Sequence, residues 1–152
     1  MTKSDSRRDL GFAIADAKRL CTQAMDQRMR PLGLSQATWR TLFHLDRHGE
    51  GITQRALAEY MGIEGPTLVR LLDNLERSGL VERRPSPTDR RANTLHLTAK
   101  ARPVLKTINR IAEELRAEFF DGVDEDEIHV VRKVMDRMAE NATRAKSEFA
   151  IA

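Results

Sequence analysis

The sequence predicts a mainly α chain with one small β hairpin, an α+β arrangement, and three observations carry that prediction. Apolar residues recur at helical spacing along most of the 152 residues, aromatic residues make up only 5%, and one proline-containing stretch alternates apolar with polar residues. The length corresponds to about one domain, and 40% apolar content is enough for a core. With a single cysteine, Cys21, no intrachain disulfide is possible, and a reducing cytoplasm fits best. The opening MTKSDSRRD is polar and leads into no apolar run of signal-peptide or membrane-spanning length.

The first helix is marked by Leu10, Ala13, Ile14, Ala17, Leu20, Cys21, Ala24 and Met25, and it ends near Pro31 and Gly33. Ser35 caps a second helix with Trp39, Leu42, Phe43 and Leu45 inside and Gly49 and Gly51 as its stop. Thr53 caps a short third helix, whose Leu57, Ala58 and Met61 point one way until Gly62 closes it. Pro66 then opens TLVRLLDNLERSG, with Leu68, Leu71, Leu72 and Leu75 as a buried stripe. Two helices joined by a tight glycine-containing turn form a helix-turn-helix pattern.

LVERR and TLHLT follow as the two strands of a hairpin, because Pro85 and Pro87 forbid a helix between them. Thr98 caps a long helix carrying Val104, Leu105, Ile108, Ile111, Ala112, Leu115 and Phe119. Pro103, one turn in, is expected to delete a backbone bond and bend its start. Beyond the acidic turn DGVDEDE, a last helix carries Ile128, Val131, Val134, Met135, Met138 and Ala142. The first helix and the last two lie outside the central unit in sequence, and a second copy of the chain is the simplest cover for their apolar stripes.

Charge is distributed unevenly. The chain carries 26 Lys+Arg against 23 Asp+Glu, a net +3, and the hairpin run RRPSPTDRR has the same excess, with Arg83, Arg84, Arg90 and Arg91 facing only Asp89. The run is expected to be a stiff, charged finger. A helix that starts at a tight turn and presents polar residues opposite its leucines has the shape that enters the major groove of DNA. Here that face carries Thr67, Arg70, Asn74 and Arg77, with Pro66 at its start. The planar fork of Arg70 matches the two acceptors on a guanine edge, and an arginine at the hairpin tip suits a narrow minor groove. A dimer would then read a two-fold site with half-sites about one helical turn, roughly 34 Å, apart.

MGIEGPTLVRLLDNLERSGLVERR, DRRANTLHLTAKA and RMRPLGLSQATWRTL together resemble the MarR family of winged-helix transcription regulators, and within it the SlyA-like branch, from about Leu10 to Met138. The resemblance implies a winged helix-turn-helix over 35–98, with its wing at 80–98, and dimerisation helices over 10–34 and 99–146, all in one domain spanning 1–152. It implies a homodimer on a pseudo-palindromic double-stranded operator, acting as repressor or counter-silencer, with no cofactor. By the same resemblance Arg91 is the minor-groove arginine, Asp89 holds the wing, and Arg90 is the lesser candidate. It further implies release by small aromatic carboxylates in a pocket that includes Arg19, Trp39 and Phe43, where some members keep a histidine at the position of Phe43.

Other readings compete at several of these positions. A lone tryptophan on an apolar helical face is more often core than ligand cage, and Arg19 has Asp16 as an alternative partner. His44 and His48 have the spacing of a metal pair, but HLDRH lacks the glutamate of H-E-x-x-H and a third ligand. Cys21 lies in an apolar stripe, as a buried inert thiol would. No nucleophile elbow, phosphate-binding loop or paired carboxylates argue for an enzyme. A metal- or redox-responsive regulator on the same scaffold and a winged-helix protein-interaction module are the rival functions.

Overall fold

The computed structural model describes residues 3–89 and 91–149, with side chains over 6–89 and 91–146. Arg90, one of the candidate DNA-binding residues, lies outside the described residues. The chain divides into two compact units, Met1–Arg116 and Ala117–Ala152.

In the first unit, helix α1 runs from Lys3 to Met29, and a 3-10 turn, Arg30–Leu32, ends it. The helix begins earlier than the apolar stripe at Leu10, because charged residues continue a helix without needing a buried face. Gly33 leaves the turn at φ 71°, a left-handed conformation cheap only for glycine. Helix α2, Gln36–His48, starts where Ser35 accepts a hydrogen bond from the Thr38 backbone N–H. Thr53 does the same for Ala56 at the start of α3, Gln54–Met61, and Gly62 closes that helix at φ 64°. Helix α4 spans Gly65–Arg77.

The hairpin strands are β2, Val81–Pro85, and β3, Asn93–Leu97, paired antiparallel with Arg83 opposite Leu95. A third strand, β1 at Ile52–Thr53, adds to the other side of β3, giving the order β1-β3-β2. Two residues are too few to show any alternation, so the sequence offers no sign of β1.

Helix α5, Ala101–Phe119, corrects two expectations. The Thr98 hydroxyl does not turn back to cap it but donates to the Gly79 carbonyl at 2.6 Å, fastening the end of the hairpin to the end of α4. Pro103 is the third residue of α5, where the backbone N–H has no intrahelical partner to lose, so no bond is deleted. One core unites this unit: Met29, Leu42, Leu57, Leu72, Leu95 and Ile108 are fully buried, with Trp39, Leu68, Leu75, Leu105, Ile111 and Leu115 around them. In the second unit, α6 runs from Glu125 to Phe149. Asp124 accepts from the Glu127 N–H at 2.7 Å and Glu127 accepts from the Asp124 N–H at 3.1 Å, a reciprocal cap that stops the acidic turn and starts the helix.

Asp26 fastens α1 to the start of α2. It accepts from the Trp39 indole N–H at 2.7 Å and from the Gln36 side-chain amide at 2.5 Å. Because the indole is buried, removing the acceptor strands a donor. Asp26→Ala is expected to cost about 1–3 kcal/mol in urea unfolding, and Asp26→Asn, which keeps an acceptor oxygen, clearly less.

At the C-terminal end of α2 the His44 and His48 rings lie parallel with centroids 5.9 Å apart, and His48 stacks on Tyr60 at 3.9 Å. Among the described residues no three of His, Cys, Asp and Glu gather as a metal site. Desolvation, followed by the charges of Arg40, His48, Arg47 and Lys18, holds the His44 imidazole below its ordinary value of 6.5. The unfolded chain therefore takes up a proton near 6.5 that the folded chain resists, so stability is lost as pH falls below that value and regained as it rises. The unfolding midpoint should be lower at about pH 5.5 than at about pH 7.5. His44→Gln should shrink that difference, and an unchanged difference would contradict the assignment.

Candidate nucleic-acid interface

The orientation of α4 follows from its leucines. Leu68, Leu72 and Leu75 are 1%, 0% and 4% exposed, and Leu71 is half-buried beside them. With that face turned inward, Pro66, Thr67, Arg70, Asn74 and Arg77 are all exposed on the other faces. Pro66 sits in the first turn, where its missing N–H costs nothing. Arg77 lies along the helix, donating to the Asp73 carbonyl at 3.3 Å and to the Asn74 side-chain oxygen.

The hairpin tip is a closed turn. Ser86, buried, accepts from the Thr88 and Asp89 N–H groups, each at 3.3 Å, and its own N–H reaches the Ala92 carbonyl at 2.9 Å. Asp89 Oδ1 then accepts from the Arg91 N–H at 2.9 Å, and the Asp89 carbonyl accepts from Ala92 at 3.0 Å. Asp89 thereby fixes the backbone from which Arg91 projects into solvent. A groove of about 1050 Å³ separates this tip from the helices, with Asp89, Arg91 and Asn93 on one wall and Gln54, Thr67 and Val69 among the residues opposite. Neither Arg70 nor Arg91 has an acidic partner among the described residues.

The charged-finger expectation needs correction at its base. Arg83 is only 18% exposed and lies between Asp73 and Glu76 of α4, with 2.7 Å to each carboxylate. Arg84 pairs with Glu82. The positive charge available at the tip is therefore narrower than the run of four arginines suggests. Arg83 was not among the residues the sequence singles out for the site, and Asp73 and Glu76, three apart on one helix flank, are its only sign there.

The three candidate ligand residues are not brought together in the same way. Arg19 is exposed and bridged to Asp16 at 3.0 Å, with Gln23 at 3.4 Å. Trp39 is core with its N–H on Asp26, and Phe43 is half-buried against the same core. None of them lines the groove beside the hairpin. Cys21 is half-buried and free.

Comparison with known proteins gives this geometry a family. The model of the MarR family matches residues 32–92, which hold α2 to α4 and the hairpin tip. Among solved structures, the transcriptional regulator PA3341 is 42% identical, with 89% of this chain and 98% of that one covered at a TM-score of 0.84. A MarR transcriptional regulator from Methanosarcina mazei Go1 is 25% identical over 91% of this chain and 99% of its own, at 0.76. CouR from Rhodococcus jostii RHA1, solved bound to p-coumaroyl-CoA, is 26% identical over 86% and 92%, at 0.75. A helix-turn-helix held by its leucines, a hairpin wing beside it and these matches lead to one conclusion: the chain belongs to the MarR family of winged-helix transcription regulators.

Proposed function

We propose that the protein is a homodimeric, sequence-specific regulator that binds a pseudo-palindromic double-stranded operator in the cytoplasm and acts as a repressor or counter-silencer. The observation that carries this reading is the groove between the start of α4 and the wing tip: Thr67 lines one side and Asp89 and Arg91 the other, while Arg70, exposed on α4 outside that lining, and Arg91 each lack an acidic partner among the described residues. Arg70 reads a guanine edge in the major groove, flanked by Pro66, Thr67, Asn74 and Arg77. Arg91 enters the adjacent minor groove, Asp89 holds its backbone, and Arg90 adds charge to the tip.

Dimerisation is assigned to segments 10–34 and 99–146 around a winged helix over 35–98, within a single domain of 152 residues. Supporting it, α1 leaves Leu10, Phe12 and Leu20 exposed, and α6 leaves Val130, Val131, Val134 and Met138 exposed. No helix among the described residues is long and apolar enough to cross a membrane. Sedimentation should give twice the 17.3 kDa chain mass.

The effector reading is a small aromatic carboxylate held by Arg19, Trp39 and Phe43; CouR, solved bound to p-coumaroyl-CoA, supports ligand binding on this scaffold, although that thioester has no acyl carboxylate. Arg19 and Asp16 are 55% and 65% exposed, and an ion pair so open contributes about 0–1 kcal/mol, so a ligand carboxylate displaces Asp16 at little cost. Release would follow from the ligand's differential affinity for a dimer with wrongly spaced recognition helices.

The test is affinity selection from fragmented genomic DNA of the source organism at about 150 mM salt, followed by titration of the recovered sequence. Arg91→Ala should weaken operator binding by about 1–3 kcal/mol and make the salt slope shallower. Arg70→Ala should relax the preference at one base pair in each half-site. Unchanged affinity and slope in both variants would overturn the residue assignments.

A further inference from the structure

We propose that Arg83 is a positioning residue for DNA binding, one that locks the wing to the recognition helix at the orientation in which Arg91 and Arg70 address one site. The inference rests on the DNA-binding reading above. Its basis is the number of groups that converge on a single side chain. The guanidinium donates to Gln54 Oε1 of α3 at 2.9 Å, to the Val69 carbonyl at 3.2 Å, and to Asp73 and Glu76 of α4 at 2.7 Å each. The Arg83 backbone N–H adds a bond to the other Glu76 oxygen at 3.1 Å.

Arg83 is 18% exposed against carboxylates that are 50% and 41% exposed, so these bonds contribute to folding as well as to orientation, and a stabilising role alone would not require acceptors on two helices. Four acceptors on two helices, met by one rigid planar fork, define a direction as well as an energy. Val69, Asp73 and Glu76 follow one another up a single flank of α4, between its leucine face and its exposed face. Arg83 stands in β2 opposite Leu95, which is fully buried and also pairs with Ile52 of β1. The base of the wing is thus fixed to the core below and to the recognition helix beside it, while its tip carries Arg91.

Charge and position make opposite predictions, which allows a clean test. Asp73→Ala/Glu76→Ala removes two negative charges next to the DNA-facing side, so Coulomb attraction alone would tighten binding to any duplex. Loss of positioning instead weakens binding to the selected operator while binding to a random duplex of equal length stays the same or tightens.

The experiment measures both affinities at one salt concentration for the full chain, with far-UV circular dichroism as the check on folding. The expected result is a fall of about tenfold in the operator-to-random ratio, and a smaller cost of Arg91→Ala in the double-variant background than in the wild type. Arg83→Lys, which keeps the charge and loses the fork, should move the ratio the same way and decides the matter if the double variant does not fold. An unchanged or increased ratio, or an undiminished cost of Arg91→Ala, would overturn the proposal. A wild-type protein that prefers no sequence would instead sink the DNA-binding reading itself, and this inference with it.

Discussion

Burial of the α4 leucines is the constraint on which the rest depends. Rotating that helix by one residue would carry Leu68, Leu72 and Leu75 about 100° out of the core, at roughly 1.5–3 kcal/mol for each side chain exposed. The rotation of α4 about its axis is therefore set from inside, and with it the direction of Arg70. The wing is set by a different kind of force. Its strands are short, its tip projects from the core, and directional bonds, those of Arg83 to α4 and of Thr98 to Gly79, complement its apolar base. Apolar packing orients the reading helix, and charged hydrogen bonds orient the wing against it.

Much of this arrangement is legible in the sequence where the determining contacts are local. Ser35 and Thr53 each cap the helix they precede by bonding a backbone N–H three residues on, and Pro66 and Gly62 mark their turns through backbone geometry of their own. The leucine stripe declares its face by period alone. What the sequence hides are contacts between residues far apart in the chain. Arg83 and Gln54 are 29 positions apart, Thr98 and Gly79 are 19 apart, and Trp39 and Asp26 are 13 apart. Each involves a polar side chain with a plausible local role, solvated arginine, helix cap or simple core tryptophan, and only the tertiary fold decides otherwise. The run of arginines illustrates the same point: charge counted along the chain ignores the carboxylates that an adjacent helix brings to Arg83.

The apolar residues left exposed on α1 and α6 set a second requirement. A helix with an unburied apolar stripe gains little from its own chain, and a copy of the same chain offers a matching surface by symmetry. Under the dimer reading, the spacing of two recognition helices becomes a property of that surface, and whatever shifts it shifts DNA affinity. Arg19 stands on α1, outside the groove beside the wing, and its partner Asp16 is easily exchanged. A ligand there would act on the helix that the dimer shares and leave the reading face untouched.

Hydroxyl-radical footprinting on the selected operator tests most directly the claim that α4 and the wing act as one reader. The account predicts two protected half-sites about one helical turn apart, each flanked by a minor-groove protection that disappears in Arg91→Ala while the central protection remains. A footprint with no flanking protection, or one that Arg91→Ala leaves intact, would contradict it.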